Sequence, residues 1–283
     1  MTEELARRNY SDGTARAYLR SVKGFAEYFN RPPDQMGPEQ IREYVAHLFE
    51  ARQLSSSSVS QQVAALRFFY VKTFRRAWSV ELTPYPKRES SLPLILSVEE
   101  VAQLIDAADT PYHRRLLMTA YGTGARRAEI VNLQIADIDK SMMRIHIREG
   151  KGGKDREVPL SPSLHEELRQ HYRRLTRKPA VWLFPGGTCH SSDEPLDSKV
   201  VWYACRIAAL RAGIHKPVHP HTLRHCFATH LYDAGTDICT IQKLLGHSDL
   251  KETMKYIHLS NRHMKDLVNP LDQLPRFARK TGS

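Results

Sequence analysis

Apolar side chains recur every three or four residues through most of the first 70 positions, and that rhythm ends in a proline-bearing stretch between Thr83 and Pro93. From Thr14 to Phe29 the apolar positions are Ala15, Tyr18, Leu19, Val22, Phe25, Ala26 and Phe29, one face of a helix. A second helix is expected near Pro38, a residue favoured in a first turn, presenting Ile41, Tyr44, Val45, Leu48 and Phe49. A third comes after Ser55–Ser58 and carries Val59, Val63, Leu66, Phe69 and Tyr70. Amphipathic helices of this kind bury their stripes only against one another, which predicts a compact helical domain over residues 1–85. Pro84, Pro86 and Pro93, with Lys87 and Arg88 among them, predict an extended linker over 86–94. A chain of 283 residues then has room for a second core over 95–283.

That second region mixes element types. Ser97-Val98-Glu99-Glu100 reads as a capping box opening a helix over 98–108. Further helices are expected over 112–121, from about Arg127, and over 163–174, 198–212, 222–234, 237–245 and 250–258. Two β-rich runs, Arg144–Arg148 and Arg156–Leu160, flank Gly150-Lys151-Gly152-Gly153-Lys154-Asp155, whose glycines favour a hairpin. The expected fold is therefore mainly α with a small β-hairpin: a helical N-terminal domain and an α+β C-terminal domain.

The net charge of +11 is spread over both regions. Residues 1–88 hold 14 basic and 9 acidic side chains, and the remainder 28 and 22. Two basic domains suit a protein that grips a polyanion such as DNA, with Arg16, Arg20, Lys23, Arg67, Lys72, Arg75 and Arg76 candidates to line a phosphate backbone. A solvated helical face explains the same charges. Cys189, Cys205, Cys226 and Cys239 include no C-x-x-C pair, so neither a zinc ribbon nor a disulfide framework is indicated. The polar start Met1-Thr2-Glu3-Glu4-Leu5 and the lack of a long apolar run predict a cytoplasmic protein without membrane partners.

Several clusters could carry chemistry. Gly122 and Gly124 should break a helix just before Arg126, placing that arginine at the next helix start, near Glu129. Lys151 and Lys154 lie on the hairpin tip. His221 and Arg224 are i and i+3 neighbours after Pro220; a guanidinium there can donate a planar fork to two phosphate oxygens, and an imidazole can bond the same group or carry a proton. His215, His219, His225 and His230 lie nearby, but no carboxylate or cysteine completes a metal-ligand pattern with them. Leu244–Leu250 reads as a helix ending at Gly246, with His247 exposed in the turn and Ser248 or Asp249 capping the next helix. Tyr256 comes nine residues after His247. Taken singly, each has an ordinary structural explanation: a solvent-facing arginine, a soluble loop, a packing tyrosine.

Their order is the stronger signal. Thr-Gly-x-Arg-x-x-Glu, Gly-Lys-Gly-x-Lys, His-x-Leu-Arg-His-x-Phe-Ala-Thr-His-Leu, Leu-Gly-His-Ser and the later tyrosine together resemble the tyrosine recombinase family of phage integrases, Xer-type recombinases and integron integrases. The resemblance covers roughly residues 95–265, with a looser match of 1–85 to the family's SAM-like core-binding domain. It implies a site-specific recombinase that cuts and rejoins DNA through a 3′-phosphotyrosyl intermediate, with no metal, cofactor or ATP. It implies Arg126 and Arg224 as catalytic arginines, Lys151 as the hairpin lysine with Lys154 as the alternative, His221 and His247 as histidine donors, Tyr256 as nucleophile and Glu129 as a supporting carboxylate. Ala128 stands where the family often has Ser, and Ala125 where it often has Leu. The implied partners are a double-stranded DNA recombination site and a homotetramer spanning two such sites. The tail after Tyr256, with Met264, Leu267, Val268 and Leu271, would dock on a neighbouring subunit or cap its own. A type IB topoisomerase-like enzyme and a non-catalytic DNA-binding regulator are competing readings. The helical domain and apolar tail argue against the first; six filled catalytic positions argue against the second.

Overall fold

The computed structural model describes residues 1–75, 93–148, 155–175, 177–187 and 190–259. The chain divides into two compact units, Met1–Ser91 and Leu92–Ser283. Most of the expected linker, Arg76, Cys189, the hairpin tip with Lys151 and Lys154, and the tail from 260 onward lie outside the described residues.

The first unit is built from α1 (Thr2–Arg7), α2 (Asp12–Phe29), α3 (Pro38–Glu50) and α4 (Ser56–Phe68), the last extended by a π turn over Phe69–Thr73. Local chemistry sets these limits. The Ser11 and Ser55 hydroxyls accept from the Thr14 and Ser58 amides, and α2 stops where Asn30 turns left-handed at φ 49°. The Gly37 amide donates to Gln40 Oε1 at 2.9 Å beside Pro38. Val22, Phe25, Ile41, Tyr44, Leu48, Val59, Val63 and Leu66 form one core. Leu19 and Phe49, assigned by periodicity to the apolar faces, sit at their margins and are exposed. Arg16, Arg20, Lys23, Arg67, Lys72 and Arg75 are all exposed.

In the second unit α5 (Val98–Asp106), α6 (Pro111–Thr123) and α7 (Arg127–Val131) precede a three-stranded antiparallel sheet: β1 (Ile138–Asp139), β2 (Arg144–Ile147) and β3 (Arg156–Pro159). α8 (Pro162–Arg174), α9 (Ser198–Arg211), α10 (Pro220–Asp233), α11 (Ile238–Leu245) and α12 (Lys251–Met254) come next, then a 3-10 turn over Ile257–Leu259. The capping box of α5 is formed: the Glu100 amide donates to the Ser97 hydroxyl at 3.2 Å and the Ser97 amide to Glu100 Oε2 at 2.8 Å. α6 is the central helix, packed by α8, α9 and α10, and its Leu116, Leu117 and Ala120 are wholly buried. Ile145 pairs across the sheet with Val158, and Ile147 with Arg156. Among the described residues no helix is long and apolar enough to cross a membrane.

Departures from the sequence expectation include β1 and α12. β1 was not expected, because a two-residue strand is too short to leave a periodic signal. The helix expected over 250–258 is only the four-residue α12. Beyond it the Tyr256 amide donates to Thr253 O at 3.0 Å and the Leu259 amide to Tyr256 O at 3.2 Å, so the chain tightens to i→i−3 bonds while the Tyr256 ring turns into the core.

Gly124, at φ 60°, closes α6; a Cβ there would lie 2.4 Å from Phe227 Cδ1. Gly124→Ala is therefore expected to lower stability by about 1–3 kcal/mol, read as a drop in thermal midpoint. Gly13→Ala, with nothing within 4 Å of the new methyl, should leave the midpoint nearly unchanged.

Candidate active site

The end of α11 gathers three arginines. This helix stops at Gly246, left-handed at φ 64°, and its last carbonyls have no intrahelical partners. Leu244 O accepts from Arg156 Nε at 2.7 Å, Leu245 O from Arg224 Nη2 at 2.6 Å, and Gly246 O accepts a long bond of 3.5 Å from Arg126 Nη2. The second arm of Arg224 donates to Gly124 O at 2.7 Å, the carbonyl at the end of α6. Helix C-termini carry partial negative charge, so two of them converging on Arg224 form a preorganised cation seat. Arg224 is 1% exposed, and its Nε–H has no partner among the described residues. Burial first, then repulsion by Arg126 and Arg156, lower its pKa to about 10, which leaves it charged at neutral pH.

Glu129 holds the other two arginines together. Its carboxylate accepts from Arg156 Nη1 and Nη2 at 3.1 and 2.6 Å, and from Arg126 Nη1 at 2.7 Å. The Arg126 amide also donates to Glu129 Oε2 at 2.7 Å, so the anion at the start of α7 is this side chain. Burial opposes ionisation of Glu129, yet the hydrogen bonds and charge of Arg156, with Arg126, outweigh it and hold its carboxyl down at about 2. Three guanidinium groups against one carboxylate leave a surplus of two positive charges.

The aromatic side of the site is a row of rings. Tyr256 is completely buried, in a cluster with Ala228, Ile241 and Leu245. Its hydroxyl lies 2.9 Å from His225 Nδ1. The His221 ring meets the His225 ring edge-on at 4.4 Å, and the His247 ring is nearly parallel to Tyr256 at 6.4 Å. His247 was expected to be exposed; its side chain is instead 5% exposed, packed beneath the turn with Nδ1 2.8 Å from the Thr253 hydroxyl. Burial, then Arg224, Lys255 and Arg126, lower the His247 pKa to about 3. His225 is likewise lowered to about 3, by burial and then by His221, Lys255 and Arg224. His221 is exposed, and partial enclosure of its ring together with Arg224 also shifts its pKa down. Enclosure thus favours the neutral form of the His225 and His247 imidazoles near pH 7. Burial raises the Tyr256 phenol to about 12, with the Arg224 charge pulling the other way.

The structure thus brings together Arg126, Glu129, His221, Arg224, His247 and Tyr256; Lys151 lies outside the described residues. His230 serves the scaffold instead, bridging the Tyr121 hydroxyl at 2.8 Å and Leu96 O at 3.0 Å. Sequence reasoning missed Arg156 and the contact of His225 with Tyr256. Arg156 left a signal: it shares an inward phase with the buried Val158 and Leu160 along β3, a position where an arginine needs a buried partner. His225 stands in the His-x-Leu-Arg-His motif, but its contact left no local signal, because it is made with a residue 31 positions away.

Removing the shared carboxylate should uncover buried cations. Glu129→Gln is expected to destabilise the protein by about 3–5 kcal/mol at neutral pH. Because the folded pKa is depressed, this stabilisation is complete above the unfolded value of roughly 4.3 and is lost as pH falls through about 2. Urea unfolding free energies of wild type and variant should converge over that window. A gap that persists at pH 2 would show that ionisation of Glu129 is not its source.

Comparison with known proteins places the chain in a family. Residues 95–263 match the phage integrase family, and residues 1–80 match the phage integrase N-terminal SAM-like domain. An integrase/recombinase of Escherichia coli is 34% identical over 316 residues, covering 97% of this chain and 93% of the relative. Tyrosine recombinase XerD of Staphylococcus haemolyticus is 30% identical over 279 residues, 92% of each protein. The crystal structure of a lambda integrase tetramer bound to a Holliday junction has the same fold, with a TM-score of 0.73 at 20% identity over 95% of this chain and 78% of that one. With both units matched and relatives at this identity spanning nearly the full length, the chain belongs to the phage integrase family and is a tyrosine-type site-specific recombinase.

Proposed function

We propose that Tyr256 is the nucleophile of this recombinase and that Arg126, Arg224, His221 and His247 hold the scissile phosphate of a double-stranded DNA site. The observation that carries the reading is the surplus of positive charge beside a buried phenol, with the Nε–H of Arg224 unpartnered among the described residues. A phosphodiester supplies the missing negative charge. In the transition state more charge gathers on its non-bridging oxygens, where each preorganised donor contributes about 2.7–4 kcal/mol.

Tyr256 attacks phosphorus, a 3′-phosphotyrosyl bond forms and the 5′-oxygen departs. A phenolate is a good enough leaving group for the step to reverse, so the ester conserves the bond for rejoining without ATP. An alkoxide is a poor leaving group. Lys151, assigned by resemblance with Lys154 as the alternative, is proposed to protonate it. Glu129 supports the site by setting Arg126 and Arg156. Four copies acting on two sites in the cytoplasm are the proposed assembly, by analogy with the lambda integrase tetramer. The domain limits proposed for this function are 1–85 for the helical core-binding domain and 95–283 for the catalytic domain.

Three variants test this. A pool of randomised duplexes, each with a nick that traps the cleaved strand, should yield an SDS-resistant protein–DNA adduct with the wild-type chain. Tyr256→Phe should yield none; an adduct formed by this variant would place the nucleophile elsewhere. Arg224→Ala should slow adduct formation on the recovered site by about 10²–10³-fold. Lys151→Ala should cleave slowly, with the rate restored when sulfur replaces the 5′-bridging oxygen; no restoration would remove Lys151 from the role of acid.

A further inference from the structure

We propose that His225 is a catalytic residue of this reaction, accepting the phenolic proton of Tyr256 at Nδ1 as the nucleophile attacks. The inference rests on Tyr256 being the nucleophile and adds a residue to the set carried over from the family's motifs. Of the three imidazoles around the phenol, His225 is the one with a nitrogen against its oxygen, at 2.9 Å. His221 faces His225 rather than the phenol, and His247 lies alongside the ring with its Nδ1 on Thr253. Tyr256 is 0% exposed, so in this state the phenolic proton has an internal acceptor and no open path to bulk water. His225 comes directly after Arg224 on α10, so one turn of helix sets both a phosphate donor and the proton acceptor.

The phenol is the stronger donor and an imine nitrogen the stronger acceptor, which assigns the His225 tautomer with hydrogen on Nε2. His219, His221, Arg224 and Lys255 surround the ring and disfavour its charged form. With the phenol raised to about 12 and the imidazole lowered to about 3, the proton stays on Tyr256 at rest. It moves when the oxygen bonds to phosphorus and its basicity collapses, while the phosphate's negative charge offsets Arg224 and raises the proton affinity of the ring. In balance, the Tyr256 Oη–P bond forms and the P–O5′ bond breaks. The phenolic proton goes to His225 Nδ1, and the 5′-oxygen takes a proton from Lys151. Rejoining runs both transfers backwards, so the acceptor of cleavage becomes the donor of ligation.

The test uses the full chain and the nicked duplex recovered with the wild type. His225→Asn places an amide near the position of Nδ1 and keeps a hydrogen-bond partner without a useful base; His225→Gln is the second variant. Both should slow cleavage by about 10²–10⁴-fold with DNA affinity unchanged. Replacing Tyr256 by 3,5-difluorotyrosine, a more acidic phenol, should shrink that penalty to under about 10-fold, since a phenol that ionises readily depends less on a base. Wild-type rates in His225→Asn would show that the residue only positions Tyr256. An equal penalty with both phenols would mark a structural role, and faster cleavage by either variant would make the contact a latch; each of these overturns the proposal. Tyr256→Phe, run alongside, separates the two claims: an adduct there removes the nucleophile assignment itself, whereas no adduct there with unimpaired His225 variants removes only the proton acceptor.

Discussion

Three consecutive carbonyls at the end of α11 each accept a hydrogen bond from a different arginine, and the site is arranged around that fact. Guanidinium groups repel one another, so bringing three together inside a protein requires fixed negative partners. Here these partners are mostly backbone: the C-terminal ends of α11 and α6, joined by the carboxylate of Glu129. Backbone dipoles cannot be protonated or rotated away, which makes the seat rigid. The left-handed glycines that end each helix permit it. A side chain at Gly246 would press on Arg156, 3.0 Å from Cδ, and one at Gly124 would strike Phe227. Elements far apart in the chain are thereby fastened to one point: β3 through Arg156, α7 through Arg126 and α10 through Arg224.

Burial sets the chemical temper of the rings, reinforced by the same cations at the imidazoles and opposed by them at the phenol. Imidazoles partly or wholly out of water beside fixed positive charge remain neutral, and a phenol in that apolar enclosure keeps its proton. In this state the site is quiet, the Tyr256 phenol protonated and covered. The incoming anion changes both conditions for charge at once, offsetting the arginines and making a protonated imidazole accessible.

Legibility in the sequence tracked the range of the interaction. Helix stripes, the Ser97–Glu100 capping box and the glycine stops at Gly124 and Gly246 are local, and each leaves a pattern within a few residues. Arg126, Glu129, His221, Arg224, His247 and Tyr256 were found by the order of their motifs, since none is distinctive alone. Arg156 was passed over because a strand arginine reads as surface unless its phase is compared with Val158 and Leu160. The burial of His247, the early end of α12 and the bond between His225 and Tyr256 all depend on the packing of α10, α11 and the segment after α12, which no local spacing encodes.

The surplus of two positive charges has a consequence for the folded state itself. A buried site with more cations than anions stores repulsion that an oxyanion relieves, so whatever occupies it binds the native chain and not the unfolded one. By linkage, such a ligand raises the folding free energy with its concentration, by about 2.7 kcal/mol at a hundredfold excess over its dissociation constant. With a DNA phosphate as the proposed occupant, the substrate would also be part of what completes the structure, and the protein would be at its most robust while engaged with it.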